Sequence, residues 1–121
     1  MPKLYPCPCC GHFSFSETSG SYEICGLCHW EDDILQLAFP DLGEGANKVS
    51  LIKAQENFMK SRVKEAPSKG GHLKDTQWCA VTTCKERILS WDNHQDVELW
   101  EKNKDKKICP YYWRSDYWLR K

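Results

Sequence analysis

Eight cysteines stand among the 121 residues, and four of them form two Cys-x-x-Cys pairs with fourteen residues between the pairs. These four are Cys7, Cys10, Cys25 and Cys28. Two residues between sulfurs let one tight turn present both thiolates, so a chain that leaves and returns can surround a single tetrahedral ion. Gly11 directly follows the first pair and suits such a turn, because glycine accepts positive φ. The pattern predicts one structural Zn²⁺ in a zinc ribbon, with a β-hairpin over residues 13–24 and its reversal near residues 19–21.

Two further side chains compete for the same ion. Cys9 and His12 repeat the two-residue spacing and are alternative ligands. We favour Cys7 and Cys10, and we expect Cys9 to stay beside the ion as a spare thiol. Four cysteines leave no open position for a catalytic water, so the site should fold the protein rather than do chemistry. Zinc binding is worth roughly 10–16 kcal/mol in peptides, which rivals the stability of a small domain, so the first third should be disordered without metal.

Other uses of the cysteines fit less well. Residues 1–6 lack the apolar core of a signal peptide, which predicts a cytoplasmic location where thiols stay reduced. A thioredoxin-like centre would need its Cys-x-x-Cys to begin a helix in a βαβ unit, and the proline and glycine residues here argue against one. No apolar run is long enough to cross a membrane. A metal site is therefore favoured over disulfides or redox catalysis.

The formal net charge is zero, but the charge is unevenly distributed. Residues 1–45 carry one basic and seven acidic side chains, a net charge of −6, and residues 102–121 carry seven basic and two acidic side chains, a net charge of +5. The two ends of the chain therefore have electrostatic fields of opposite sign. The length suits one domain, or two small ones that share a core.

An acidic run comes directly after the second cysteine pair. Glu31, Asp32 and Asp33 follow Trp30, which we expect to pack over the metal cluster. The three acids fit a solvated turn, a helix start, or a surface that meets a basic partner. The apolar residues 34–39 that follow need a core.

The clearest helix is predicted over residues 50–64, with Ser50 as its N-cap. Its apolar side chains lie near one face and are Leu51, Ala54, Phe58 and Val63. Helix and ribbon should pack together as a first domain at residues 1–66. A stretch containing proline and paired glycines, residues 65–72, breaks the chain after it.

Residues 73–121 are predicted to form an aromatic-rich second domain. Residues 78–91 can be helical, residues 97–101 alternate as a strand, and residues 108–113 return as a second strand. Pro110 places that return strand at an edge or at a bulge. The predicted fold class is α+β, with a zinc ribbon and packed helix followed by a helix and a β-hairpin.

A second metal site is conceivable in this half. Its candidate ligands would be Cys79, Cys84, Cys109 and His94. Their separations match no familiar knuckle, so we interpret them as buried unligated thiols and predict one metal.

Four segments carry a family resemblance. They are Tyr-Pro-Cys-Pro-Cys-Cys-Gly at residues 5–11, Gly-Ser-Tyr-Glu-Ile-Cys at 20–25, Trp-Glu-Asp-Asp at 30–33 and Gly-Ala-Asn-Lys-Val-Ser-Leu at 45–51. Over about residues 5–60 the chain resembles the bacterial cysteine-rich CPCC domain family. The family usually has a proline where this chain has Gly26, a change that leaves the ligand spacing intact. The resemblance implies a small zinc-ribbon-like bacterial domain without an established activity, whose members occur near toxin-immunity loci.

The C-terminal segment concentrates the residue types that dominate binding hot spots, with five aromatic side chains between residues 111 and 118. Some of them should reach the surface, although they can instead fill the core of the second half. The predicted partner-binding residues are Glu31, Asp32, Asp33, Tyr111, Trp113, Arg114 and Trp118.

Three classes of function follow. An enzyme is not expected, because no catalytic triad or carboxylate pair stands out and the four histidines have no evident catalytic partner. A zinc-ribbon nucleic-acid binder is the alternative: the basic aromatic tail favours it, but the acidic ribbon would repel phosphates. The leading interpretation is a cytosolic bacterial protein that binds another protein. Family context makes it an immunity protein that neutralises a cognate toxin, for which we expect a nuclease.

Overall fold

A computed structural model describes residues 4–61, 73–84 and 87–119. Two short strands, β1 (Tyr5–Pro6) and β2 (Phe13–Phe15), pair antiparallel with a register shift. Three α-helices follow, α1 (Ile34–Ala38), α2 (Leu51–Ser61) and α3 (His94–Asn103), with a short 3₁₀ helix at Val81–Thr83 between the last two. The described part is thus a small α+β structure.

The hairpin does not lie where the sequence predicted it. Its strands flank the first cysteine pair, whereas residues 13–24 were expected to form a hairpin between the two pairs. The reason is that each Cys-x-x-Cys turn itself reverses the chain, so the strands that meet are those on either side of a turn. Residues 16–23 form bends and turns, and one bridge, Ile24 to Glu31, flanks the second pair.

Helix α1 begins in the acidic run. The side chain of Asp33 accepts hydrogen bonds from the backbone N–H groups of Leu35, at 2.9 Å, and Gln36, at 3.4 Å, which is the arrangement of an N-cap. The buried Gln36 then donates to the carbonyl oxygens of Leu42, Asn47 and Val49. This one side chain therefore holds the loop that leads to α2.

Helix α2 confirms the clearest helical prediction. The Ser50 hydroxyl accepts from the Lys53 N–H at 3.1 Å, as expected of the N-cap, and Leu51 is completely buried. Ala54 and Phe58 pack against the same core cluster as Leu51. Residues 62–64 and 65–72, including Val63, lie outside the described residues.

The predicted elements of the second half are largely wrong. Residues 78–84 and 87–91 hold the 3₁₀ helix but no α-helix, and the predicted strand at 97–101 lies inside α3. Asn93 caps α3 through the N–H groups at its start, and the buried residues Asp96 and Trp100 stand four apart on one helical face. The apolar residues Val97 and Leu99 alternate with polar ones as they would in a strand, but both lie in α3.

The predicted second strand, residues 108–113, is also absent. Its residues form turns, and Cys109 makes a single parallel bridge to Tyr117. The predicted C-terminal β-hairpin is therefore replaced by a helix and an irregular tail.

Two hydrophobic clusters form the interior of the described residues, and the larger one draws on both predicted domains. It contains the cysteines of the first half together with Val81, Tyr112, Trp113 and Tyr117 from the second. Trp30 belongs to the same cluster and is 3% exposed, in agreement with its predicted packing beside the cysteines. In the part of the chain that the structure describes, every helix is too short or too polar to span a bilayer.

Candidate metal centre

Four sulfur atoms meet at the junction of the two Cys-x-x-Cys turns. They belong to Cys7, Cys10, Cys25 and Cys28, and all lie within 4.8 Å of one another. The Cys7 and Cys28 sulfurs are 3.6 Å apart, and those of Cys10 and Cys25 are 3.8 Å apart. A tetrahedron with metal–sulfur bonds of about 2.3 Å has edges of about 3.8 Å. The four thiols therefore fit one tetrahedral ion, and this donor set is typical of structural zinc.

The two turns have the same backbone hydrogen bonds. In the first, the Gly11 N–H donates to the Cys7 carbonyl at 2.7 Å, and in the second the His29 N–H donates to the Cys25 carbonyl at 2.9 Å. Each turn is closed by a bond from its first cysteine N–H, to the carbonyl of His12 in one and of Trp30 in the other. The protein thus presents its sulfurs from two equivalent knuckles.

Equivalent positions in the two knuckles need a left-handed backbone. Gly11 has φ +80°, which confirms the prediction for that glycine, and His29 has φ +70°. A Cβ atom added at Gly11 would lie 2.8 Å from the Trp78 ring, whose Nε1 donates to the Pro8 carbonyl at 2.8 Å. The first knuckle therefore requires glycine both for its positive φ and for the close approach of Trp78, whereas the second knuckle has a histidine in the same strained conformation.

We expect His29→Gly to stabilise the metal-loaded protein by about 1 kcal/mol, because relief of left-handed strain exceeds the entropic cost of glycine. Denaturant unfolding followed by tryptophan fluorescence measures this difference. Gly11→Ala is the matched comparison and should destabilise by more than about 2 kcal/mol through strain and the clash with Trp78. A less stable His29→Gly protein would contradict the interpretation.

The two alternative ligands are placed near the centre but outside the four-sulfur group. Cys9 is 2% exposed and lines the same cleft as Cys28. His12 is also 2% exposed, and its backbone carbonyl accepts from the N–H groups of Cys7 and Ser14. Cys9 therefore occupies the place expected of a spare thiol.

The cluster favours a cation electrostatically. Burial raises the pKa of the Cys7 thiol, and hydrogen bonds to neighbouring thiols raise it further. Hydrogen bonds from Cys10 and the other thiols lower the pKa of Cys25, which also lies 3.0 Å from the Ser14 hydroxyl and accepts from the Leu27 N–H at 3.4 Å. One sulfur can thus be a thiolate that accepts hydrogen bonds from neighbouring protonated thiols, and a bound divalent ion would replace the protons of those thiols.

The remaining cysteines form no comparable group among residues 73–84 and 87–119. Cys79 and Cys84 are half-buried, and burial raises the pKa of the Cys79 thiol. The His94 side chain is 85% exposed and lies 3.1 Å from the Glu98 carboxylate. Cys109 is half-buried in the tail, where burial raises its pKa to about 11.

The acidic run is mostly buried, which corrects the expectation of an exposed carboxylate surface. Asp32 is 1% exposed and accepts hydrogen bonds from the N–H groups of Gly20 and Ser21 and from the Ser21 hydroxyl. Asp33 is the α1 cap and also accepts from the Ala46 N–H at 2.9 Å. Glu31 alone is half-exposed. Of the three original interpretations, the helix start describes Asp33.

The C-terminal tail is also used internally. Trp113 is 6% exposed, and its indole N–H donates to the buried Asp75 carboxylate at 2.9 Å. Arg114 donates to the same oxygen at 2.7 Å, and the Asp75 N–H donates to the Gly11 carbonyl. Tyr111 and Trp118 are half-buried. Trp113 is therefore buried and anchors the tail to the first knuckle, and its role in partner binding stays a prediction.

Sequence reasoning missed a cleft between the second knuckle and α2. Its volume is about 610 Å³. Knuckle residues on its wall include Cys9, Leu27, Cys28 and Trp30, and the opposite wall includes Val49 and Phe58. Nothing in the spacing pointed to it, because its walls are distant in sequence.

Comparison with known proteins gives a family match over the half of the chain that contains the cysteine cluster. The family model described as "Cysteine-rich CPCC" matches residues 5–70, more than half of the chain and inclusive of all four clustered cysteines. The search of curated proteins found no match. On the family match, and with a cysteine cluster in the geometry of a metal site, the chain belongs to the cysteine-rich CPCC family.

Proposed function

We propose that this protein is a zinc-stabilised module that acts in the cytosol by binding another protein. The observation that carries the proposal is the cleft between α2 and the second knuckle, a turn that a metal would stiffen. Val49, on the wall opposite the knuckle, is 37% exposed. Outside the cleft, Ile24 directly precedes the second cysteine pair and is 64% exposed, and Tyr22 is 57% exposed. Rigid exposed apolar surface of this kind favours association, because little conformational entropy is lost on binding.

The donor set argues for a structural metal rather than a catalytic one. Four thiolates complete a tetrahedral shell and leave no position for water or substrate. We therefore assign the ion as Zn²⁺, bound once per chain, and we assign no catalytic residue.

The charge of the ribbon half indicates the chemistry of the partner. Residues 4–45 contain seven acidic side chains and no lysine or arginine, and Glu17 and Glu44 are exposed. Four thiolates around Zn²⁺ would add a further net charge of −2. A basic protein surface is complementary to this field and would be steered towards it. Together with the toxin-immunity context that the family resemblance implies, this favours an immunity protein whose cognate toxin is a nuclease, since nucleases are basic where they grip phosphate.

The test is co-expression with the product of the neighbouring gene, followed by gel filtration of the purified pair at micromolar concentration. We expect protection of the cells and one complex. Val49→Asp should weaken that complex at least tenfold, because it places a charge in the cleft. Met59→Asp is the matched control: Met59 lies on α2, is 54% exposed and is not on the cleft wall. Trp113→Ala is unsuitable as a probe, because its side chain is buried and its loss would destabilise the fold.

Equal weakening by both substitutions would place the binding surface elsewhere. A neighbouring gene without a toxin, or no complex at micromolar concentration, would remove the immunity proposal.

Nucleic-acid binding is the second candidate, favoured by one observation. Lys102, Lys104, Lys106 and Lys107 are all exposed at the end of α3. Contacts to phosphate by these side chains would give an affinity that falls steeply with salt. No binding of single-stranded RNA or DNA at low salt would exclude this function.

A further inference from the structure

The four clustered cysteines are not equally protected. Cys7, Cys10 and Cys25 are at most 1% exposed, whereas Cys28 is half-buried and lies on the wall of the cleft. Cys25 is additionally hydrogen-bonded by the Leu27 N–H and paired with the Ser14 hydroxyl. Such hydrogen bonds withdraw electron density from a thiolate and lower its reactivity. Cys28 is therefore the sulfur that a small reagent in the cleft meets first.

A fifth thiol lines the same cleft. Cys9 is outside the four-sulfur group, and it and Cys28 are the two cysteines on the cleft lining. The Cys7 sulfur lies 3.6 Å from that of Cys28, but Cys7 belongs to the four-sulfur group itself, so Cys9 is the thiol at the cleft that the ion would leave unbound. An accessible thiolate beside a second thiol is the arrangement of a reversible redox site, in which the second thiol resolves the oxidised first one. Cys9 contributes nothing to a four-coordinate shell, so its position calls for another use.

We propose that Cys28 and Cys9 form an oxidation site for hydroperoxides that controls the bound zinc. The Cys28 thiolate attacks one peroxide oxygen, the O–O bond breaks, and Cys28 becomes a sulfenic acid while hydroxide leaves. The Cys9 thiol then attacks the Cys28 sulfur, an S–S bond forms, and water leaves with the thiol proton. One hydrogen peroxide, one thiolate and one thiol thus give one disulfide, one water and one hydroxide, so that the two sulfurs are oxidised and the peroxide is reduced.

The consequence concerns the metal. A disulfide at Cys28 removes one of four ligands and leaves an incomplete shell, so zinc is released and the ribbon loosens. Because Cys9 traps the sulfenic acid, Cys28 is kept from further oxidation to sulfinic acid, which thiols do not reverse. Reduction of the disulfide restores the site.

The experiment treats the zinc-loaded full chain with a few equivalents of hydrogen peroxide and follows zinc release with a chromophoric chelator. After free thiols are alkylated, cleavage by a glutamate-specific protease after Glu17 and Glu23 separates the knuckles, and mass spectrometry identifies the linked peptides. Trypsin would not do this, since residues 4–47 contain no lysine or arginine. We expect a Cys9–Cys28 disulfide and recovery of zinc binding after dithiothreitol.

Cys9→Ser tests the resolving role directly. The variant should bind one zinc as purified and lose it to peroxide, with Cys28 found as sulfinic acid and zinc binding not restored by dithiothreitol. Cys109→Ser, a thiol remote from the cluster in sequence, should behave as wild type. If Cys9→Ser loses zinc on purification, Cys9→Ala replaces it, and metal loss in both would show that Cys9 supports the cluster and would overturn the proposal. Wild-type zinc release without a Cys9–Cys28 link, or full recovery of the Cys9 variant, would overturn it equally.

Discussion

Replacing Cys25 with serine should abolish stoichiometric metal binding and unfold the ribbon half of the protein. Cys25 is completely buried and contributes one of the four clustered sulfurs. Serine offers a poor ligand there, and three remaining thiols would surround an incomplete shell. Because structural zinc contributes roughly 10–16 kcal/mol in peptides, and a small domain has only about 5–15 kcal/mol of stability, the fold should not survive the loss. Elemental analysis measures the metal, and circular dichroism with thermal unfolding measures the fold.

Two other cysteine substitutions serve as controls for Cys25→Ser. Cys109→Ser should keep about one metal per chain and a cooperative transition, and the same should hold for Cys9→Ser, since Cys9 lies outside the cluster. A strong chelator should unfold the wild type in the same way as the Cys25 substitution does. Wild-type protein purified without chelator that contains no zinc, or an apo form with an unchanged thermal transition, would refute the assignment.

The metal knuckles and α2 could be predicted from sequence because local physics determines them. Two residues between cysteines fix a turn, Gly11 supplies its left-handed residue, and Ser50 supplies a helix cap three residues before the N–H that it accepts from. Each of these features depends on neighbours in the chain. The hairpin was predicted between the two cysteine pairs, but its strands flank the first pair. The prediction failed because the knuckle itself reverses the chain and no separate loop is needed.

The second half could not be predicted because its backbone is decided by distant contacts. Residues 97–101 alternate as a strand would, yet α3 is fixed by the Asn93 cap and by burial of Asp96 and Trp100. Asp96 is acceptable inside because Arg87 and the Ser90 N–H both donate to it. None of these pairings is visible in a local pattern.

The predicted partner-binding residues illustrate the same limit for function. Acidic and aromatic side chains are typical of interfaces, but Asp32, Asp33 and Trp113 are each buried with hydrogen-bond partners eleven or more residues away. The sequence alone does not show whether a charged side chain is exposed or which groups it contacts. The cleft beside the second knuckle, which sequence reasoning missed, is an open surface among the described residues.

The buried Gln55 side chain joins the two halves of the protein through hydrogen bonds. Its amide nitrogen donates to the Pro8 carbonyl at 2.9 Å and to the Tyr112 hydroxyl at 3.0 Å, and its oxygen accepts from the Val81 N–H at 2.9 Å. The Tyr112 hydroxyl in turn donates to the Cys79 carbonyl. One buried amide thus joins the first knuckle, α2, the 3₁₀ helix and the tail.

Gln55→Glu should destabilise the protein by at least about 3 kcal/mol without changing its shape, because a carboxylate replaces two donated hydrogen bonds with repulsion from the Pro8 carbonyl. The Tyr112 proton cannot compensate, since it is already donated to the Cys79 carbonyl. Burial should raise the pKa of the new carboxyl above its unfolded value. The variant therefore binds more protons when folded, and its loss of stability relative to wild type should grow from pH 5.5 to pH 8.

Denaturant unfolding at pH 5.5 and at pH 8 measures this loss. The exposed Glu56→Gln on the same helix is the control, and it should change stability by less than about 0.5 kcal/mol. A deficit below about 1 kcal/mol, or one independent of pH, would mean that the halves are held together by apolar packing and that the amide is dispensable.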